Sequence, residues 1–139
     1  MKKKIGVVGY SGAKFDEKIA KALLAVAFDI VEQTFDSDDG YELVSGLTDV
    51  GIPGLAYRMA VKEDWKTVGL SAKEAKEYDC FPVDEEIIVG EKFGDESKDF
   101  IEYIDCLIRI GGGKQSLKET EMARKKGIPV FEFDLPEIK

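Results

Sequence analysis

The sequence predicts a single α/β domain of Rossmann-like type, residues 1–139, with a mostly parallel sheet of five to six strands and helices on both faces. Short apolar runs that end in glycine or serine alternate with segments of helical periodicity along the whole chain. The length of 139 residues matches one ordinary domain, and 44% hydrophobic with 35% charged residues is typical of a folded protein. Such alternation favours βαβ units and a parallel sheet.

The first half of the chain predicts three strands and two helices. The apolar run Ile5–Gly9 predicts the first strand, and Asp16–Phe35 predicts a helix because its apolar residues recur on one face. After an Asp- and Gly-rich turn, Tyr41–Ser45 predicts the second strand. Pro53 suits the first turn of a helix that runs to about Glu63, and Thr67–Leu70 predicts the third strand.

The second half of the chain predicts three strands, three helices and one longer loop. In chain order, these segments are a capping box at Ser71-Ala72-Lys73-Glu74 that opens a short helix, the loop Tyr78–Glu85, the strand Glu86–Val89, the helix Ser97–Ile104, the strand Cys106–Ile110, the helix Ser116–Lys126 closed by Gly127, and the strand Val130–Asp134. No repeat or linker interrupts the alternation, which favours one domain.

Charge and hydropathy exclude several classes of protein. The formal net charge of −8 argues against a broad nucleic-acid surface, which needs clustered Lys and Arg. No apolar run approaches the roughly 20 residues that span a membrane. Met1–Gly9 begins with basic residues, but the apolar stretch that follows them is too short, and too interrupted by glycine, for a signal peptide. We therefore expect a cytoplasmic protein with no membrane partner.

The residue types that are missing restrict the chemistry further. The chain has no histidine, which removes Ser-His-Asp and Cys-His catalysis and histidine zinc sites. Its two cysteines, Cys80 and Cys106, share no metal-ligand spacing, and Cys106 is expected to be a buried thiol. We expect neither a metal nor a resident cofactor.

Small residues follow three of the predicted strands, at what would be the same edge of the sheet. Glycines allow a ligand to approach the backbone, and helix N-termini present free N–H groups to an anion. Open α/β sheets bind ligands at this edge. The predicted ligand-binding residues are Gly9, Ser11, Gly12, Gly46, Thr48, Gly51, Gly111, Gly112, Gly113, Lys114, Gln115, Ser116 and Glu119. The spacing matches neither a P-loop nor the full dinucleotide fingerprint.

Two interpretations of Ser116-Leu117-Lys118-Glu119 remain open at this point. As a capping box, Ser116 would cap the helix and Glu119 would accept a backbone N–H. Alternatively, Glu119 accepts hydroxyls of a bound sugar or acts as an acid or base. Lys114 is either a phosphate contact, which we favour, or an exposed loop lysine. Asp95 and Glu96 are interpreted as ordinary residues of a helix N-terminus, although their stretch could also lie close to the ligand edge.

Aromatic side chains offer a further way to hold a ligand. Tyr10, Tyr57, Phe81 and Phe93 could stack on a base, but packing in the core or at its rim is the default for each of them.

Three stretches of the chain resemble the SLOG superfamily, which includes the LONELY GUY cytokinin-activating phosphoribohydrolases and the DNA-processing DprA proteins. Ile5–Gly12 is similar to the family's first strand and loop, and Val44–Ala56 to its second strand, glycine turn and helix. Gly111–Glu119 resembles the Pro-Gly-Gly-x-Gly-Thr-x-x-Glu signature, and Gly127–Val130 the Gly-Lys-Pro-Val that follows it. The resemblance implies a nucleotide-type pocket and a homodimer.

The chain departs from this signature at positions that matter for catalysis. Gly111 replaces the proline, Gln115 the third glycine and Ser116 the threonine, whereas Glu119 keeps the position of the catalytic glutamate. The hydrolases also carry an Arg-Lys pair, which by spacing falls on Glu96 and Ser97 of this chain. An acidic residue there would repel a substrate phosphate, so the resemblance leaves enzymatic activity open.

Three functions follow from these observations. The first is binding of a nucleotide or ribose-phosphate molecule, such as a signalling nucleotide. The second is a phosphoribohydrolase that cleaves the N-glycosidic bond of a nucleoside monophosphate, with Glu119 as the catalytic residue. The third is a structural or partner-binding domain with a vestigial pocket. The acidic Glu96 favours the first function over the second, and the three glycine turns favour it over the third.

Overall fold

The computed structural model describes all 139 residues, which form six strands, four α-helices and one short 3-10 helix. In chain order the elements are β1 (Lys3–Gly9), α1 (Glu17–Thr34), β2 (Tyr41–Ser45), α2 (Gly51–Lys62), β3 (Lys66–Ser71), the 3-10 helix (Lys73–Glu77), β4 (Glu85–Ile88), α3 (Ser97–Tyr103), β5 (Cys106–Ile110), α4 (Lys114–Lys126) and β6 (Val130–Phe133). The predicted Rossmann-like α/β fold is confirmed.

All six strands lie in one parallel sheet, in the order β4-β3-β2-β1-β5-β6. From β1 the chain builds outward through β2 to β4, and then returns to add β5 and β6 on the other side of β1. The strand order therefore reverses between β1 and β5, where Gly9 is opposite Ile110. Parallel sheets leave a crevice at the carboxyl ends of the strands at such a point.

Helices cover both faces of the sheet because the strand side chains alternate between two apolar clusters. Ile5 and Val7 face the cluster that α1 and α2 complete, whereas Val8 faces the smaller cluster of α3 and α4. The Asp16 carboxylate caps α1 by accepting from the N–H groups of Lys18 and Ile19. Gly127 ends α4 at φ +86°, a backbone conformation that favours glycine.

Two predicted helix starts are wrong. Ser71 belongs to β3, and its Oγ accepts the N–H of Leu47 at 2.7 Å, so the capping box expected there is absent and Ala72 precedes a 3-10 helix. The last helix begins at Lys114, with Gly113 in the N-cap position, two residues before the predicted start at Ser116.

Cys106 is fully buried in β5, as expected, and Cys80 is partly buried. None of the helices combines the length and apolarity that crossing a membrane requires.

Candidate functional site

The loops after β1 and β5 meet so closely that side chains would not fit between them. A Cβ on Gly9 would lie 2.3 Å from the carbonyl oxygen of Ile110. A Cβ on Gly112 would lie 2.6 Å from the Cβ of Ser116, and the backbone there has φ +112°. The glycines therefore bring the start of α4 against the end of β1. The Ser116 hydroxyl fastens this contact by donating to the carbonyl of Gly9 at 3.3 Å.

A cavity of about 410 Å³ opens at this edge of the sheet. It is lined by residues that follow β1, β2 and β3 and by the first turns of α4. The predicted site residues that line it are Gly9, Ser11, Gly12, Gly46, Thr48, Gln115, Ser116 and Glu119. The topology thus brings together residues from three separate predicted loops, and we take this cavity as the candidate site.

The other predicted site residues lie behind the cavity wall or at its rim. Gly51 packs on the Tyr10 backbone, where an added Cβ would lie 2.1 Å from the carbonyl oxygen, and Gly111 packs on the Tyr10 ring. Gly112 is in contact with Ser116. Gly113 and Lys114 are exposed at the start of α4. These residues shape the loops but do not line the cavity.

A larger depression of about 1070 Å³ lies on the α1 and α2 side of the β1 loop. Its walls include Phe15, Leu55 and Met59 with lysines at the rim, and Gly51 belongs to this wall. Ser11 and Val50 separate the two spaces, because they line both. Only the smaller cavity lies at the switch point of the sheet and contains buried carboxylates.

Glu119 is one of two buried acidic groups of the candidate site, with 5% of its surface exposed. Its Oε2 accepts from the Ser97 hydroxyl at 2.8 Å and from the Gln115 side-chain amide at 3.4 Å. Burial raises the pKa of this carboxyl, the two hydrogen bonds oppose that rise, and the nearby Glu96 charge adds to it. Since α4 begins at Lys114, Glu119 lies in the second turn and caps nothing. The capping-box interpretation is wrong.

Glu96 and Ser97 belong to the site, although the sequence pattern favoured an ordinary helix N-terminal position for Glu96. Glu96 is 5% exposed and lines the cavity, and the Ser97 hydroxyl holds Glu119. Two signals in the sequence pointed to these positions. The acidic stretch before α3 could lie close to the ligand edge, and the family alignment placed the Arg-Lys pair of the hydrolases here. The structure places the Glu96 carboxylate in the cavity.

Two aromatic rings form part of the cavity wall near the solvent. Tyr78 and Phe93 lie with ring centroids 5.8 Å apart and planes tilted by 39°. They are 58% and 44% exposed, which is unusual for rings of this size. Packing was the default expectation for Phe93, and Tyr78 lay in the predicted loop without a role. Both therefore offer a stacking surface at the mouth of the cavity.

Hydrogen-bond donors in the cavity come from the backbone, from hydroxyl groups and from the Gln115 side-chain amide. No lysine or arginine is among the lining residues, whereas Glu96 and Glu119 both are. No side chain caps α4, so the N–H groups of its first turn remain available to a ligand. Two hydrogen bonds hold the β1 and β2 ends of the wall in place: Ser45 donates to the Val7 carbonyl at 2.6 Å, and Tyr57 donates to the Gly46 carbonyl at 2.8 Å.

Comparison with known proteins identifies relatives by structure only. No family model and no curated protein sequence matches the chain. The molybdenum cofactor carrier protein from Chlamydomonas reinhardtii is similar at 21% identity and a TM-score of 0.74, covering 95% of this chain and 76% of that one. The molybdenum cofactor binding protein from Rippkaea orientalis is similar at 25% identity and a TM-score of 0.75, covering 96% and 77%.

A structural genomics target, TM1055, is similar at 23% identity and a TM-score of 0.71, covering 92% of this chain and 72% of that one. Together these structures show that the chain shares their Rossmann-like fold, and they agree with the SLOG assignment that the motifs indicated.

Proposed function

We propose that this chain binds a nucleotide or a ribose-phosphate molecule in the cavity at the carboxyl edge of its sheet. One observation supports the proposal above the others. The β1 loop, the β2 loop, the open N-terminus of α4 and the buried Glu119 all contribute to a single cavity at the point where the strand order reverses.

The phosphate would bind at the N-terminus of α4. The free N–H groups of the first turn and the helix dipole both favour an anion there. Lys114 is exposed at that turn and would add charge from the rim rather than from inside the cavity. Backbone donors suffice for a single phosphate, so the lack of lining cations is compatible with this placement.

The sugar would bind beside Glu119, one turn further along α4. Its Oε2 is used by Ser97 and Gln115, whereas Oε1 has no hydrogen-bond partner in the protein. A carboxylate oxygen accepts hydrogen bonds only, which suits it to ribose hydroxyls. Along the helix axis, the Glu119 carboxylate lies about one turn, or about 5.4 Å, beyond the first-turn N–H groups that would bind the phosphate.

The structural neighbours support binding of a small molecule or cofactor by this fold, because two of them are described as molybdenum cofactor carrier or binding proteins. The class of ligand proposed for this chain comes from its own cavity. A homodimer is part of the same proposal and is supported by the family resemblance alone. A cytoplasmic location also belongs to the proposal, and the composition of the chain supports it.

A ligand should raise the thermal stability of the protein, and narrowing the cavity should abolish the effect. A nucleotide at about 100 times its dissociation constant adds roughly 2.7 kcal/mol. Gly46→Val should narrow the cavity. A Cβ at Gly46 meets only the Ser71 Oγ, at 3.7 Å, so the added methyl groups occupy the cavity without backbone strain. Melting curves with nucleoside monophosphates and ribose 5-phosphate measure the effect.

Ala22→Val is the control, because it adds two methyl groups at an exposed position of α1, away from the cavity. It should keep the ligand-induced stabilisation. Mass spectrometry of molecules released from freshly purified, denatured protein provides an independent readout. If no nucleotide or sugar phosphate shifts the melting temperature and none is released, the proposed function is wrong.

A further inference from the structure

We propose that Glu96 selects the base of the ligand, and that the cavity takes a heterocycle with two adjacent N–H donors, as guanine and pterin rings have. This inference rests on the proposed function, since it names the base of a ligand whose phosphate and sugar occupy the same cavity. It assigns a role to Glu96 that neither the fold nor the family signature contains.

Glu96 is a buried carboxylate with one oxygen left open. Its Oε1 accepts the N–H of Gly94 at 2.6 Å, and no protein group donates to its Oε2. No buried side-chain oxygen in the molecule lacks a hydrogen-bond partner, so Oε2 is accessible. Because Glu96 is only 5% exposed and lines the cavity, that access is through the cavity. The open oxygen is therefore presented to whatever binds there.

The surroundings of Glu96 require that a ligand bring donors. No lysine or arginine lines the cavity, and Glu119 is the second carboxylate on its wall. A carboxylate that loses water without gaining a donor is strongly destabilised. A ligand that covers Glu96 must therefore present N–H or O–H groups to it, and an acceptor edge would be repelled.

The position of Glu96 points to the base rather than to the sugar. Phe93 lies three residues before it, and the Phe93 and Tyr78 rings form the exposed part of the same wall. A planar ring that stacks on this pair can direct its edge at Glu96, while Glu119 remains for the sugar. The site thus offers a planar ring two contacts: the aromatic side chains stack on its face, and the Glu96 carboxylate accepts hydrogen bonds from its edge.

Guanine has the matching edge. Its N1–H and 2-amino group are adjacent, parallel donors, and a carboxylate accepts such a pair with both oxygens, since Glu96 Oε1 keeps a second lone pair beside the Gly94 contact. A pterin ring has the same two donors. Hypoxanthine lacks the 2-amino group, and adenine has an acceptor at N1. Sites built on hydrogen bonds discriminate strongly against analogues that lack the donor.

Titration calorimetry with GMP, IMP, AMP and neopterin monophosphate tests the inference. We expect GMP to bind at least about tenfold more tightly than IMP or AMP. Glu96→Gln should bring GMP and IMP within about threefold of each other, because an amide has one acceptor and one donor. The amide oxygen can still accept the Gly94 N–H, so this variant should fold. Comparison of GMP with neopterin monophosphate shows which ring is preferred.

Glu102→Gln serves as the control, because it removes the same charge from an exposed position of α3. It should retain the preference for GMP. Equal binding of GMP, IMP and AMP, or a preference unchanged by Glu96→Gln, would overturn the role of Glu96 and leave the proposed function intact. Failure of all four compounds to bind would also overturn the role of Glu96. The proposed function fails only if, in addition, no other nucleotide or sugar phosphate shifts the melting temperature and none is released from the protein.

Discussion

At the scale of single residues, the buried Glu119 carboxylate lowers the stability of the fold when it is charged. Burial raises its pKa, and Glu96 nearby raises it further against the effect of Ser97 and Gln115. An acid with a raised pKa in the fold stabilises the protein below its ordinary pKa of 4.5, and this contribution is lost as the pH rises through the value in the folded protein.

Replacing this carboxyl by an amide should therefore have opposite effects on stability and on binding. Relative to the natural protein, Glu119→Gln should gain stability as the pH rises from 4 to 8, since the amide carries no buried charge. It should bind the ligand less tightly by about 1.5–3 kcal/mol, the contribution of a hydrogen bond to a charged group. Urea unfolding across that pH range and calorimetry at neutral pH measure the two effects.

Glu121→Gln is the matched control on α4, because Glu121 is exposed and outside the cavity. It should change neither quantity by more than about 0.5 kcal/mol. Unchanged ligand affinity in Glu119→Gln would remove Glu119 from the site. A variant that becomes less stable than the natural protein as the pH rises would contradict the raised pKa.

At the scale of elements, the loop between β5 and α4 is held from both sides. Arg109 is buried at the end of β5, where its Nη1 donates to the Gly111 carbonyl and its Nε to Glu132, both at 2.8 Å. On the other side, Ser116 bonds to the end of β1. Hydrogen bonds to β5, which precedes the loop, and to β1, 107 positions away in the chain, thereby hold the N-terminus of α4 at the cavity.

Two glycines at this edge of the sheet should respond differently to the same substitution. Gly112→Ala should lower the free energy of unfolding by about 2 kcal/mol or more, because it combines a positive φ with a 2.6 Å clash against Ser116. Gly12→Ala should change it by less than about 0.5 kcal/mol, since a Cβ there meets nothing within 4 Å. Denaturant unfolding of both variants checks this, and equal stabilities would show that the loop is not constrained as described.

At the scale of the whole molecule, an acidic chain encloses an acidic cavity. The net charge is −8, and the cavity has two buried carboxylates and no lining cation. The spacing of the family signature predicts that Glu96 occupies the position of the hydrolases' arginine. A substrate phosphate therefore meets no cation inside the cavity, which suits reversible binding better than that hydrolysis.

We accordingly expect little or no release of free base from AMP or CMP. Chromatography of long incubations with purified protein measures it, and the Gly46→Val variant, with its cavity narrowed, provides the background. Turnover in the usual enzymatic range of about 1 s⁻¹ or above would establish the phosphoribohydrolase instead. Weak activity gained by Glu96→Arg would support the alignment of this position without establishing a native reaction.

The boundaries of several elements follow from the sequence alone. Tyr41–Ser45 and Cys106–Ile110 are strands with the predicted limits, because each is an apolar run bounded by turn residues. The long first helix also follows, from its apolar face and from Asp16 as its cap. Local propensity and periodicity decide these features, and the same alternation determines the fold class.

Packing across the sheet decided what local patterns leave open. The Ser116 hydroxyl bonds to the Gly9 carbonyl, 107 positions away, so the helix starts earlier than a capping pattern suggests. Glu96 belongs to the cavity because α3 packs beside α4 and brings Ser97 to Glu119, and Tyr78 and Phe93 pair from separate loops. The sequence by itself determined which segments form strands and helices, and that glycines follow three of the strands at one edge of the sheet. Only the tertiary structure determined which side chains meet there, because these contacts join residues far apart in the chain.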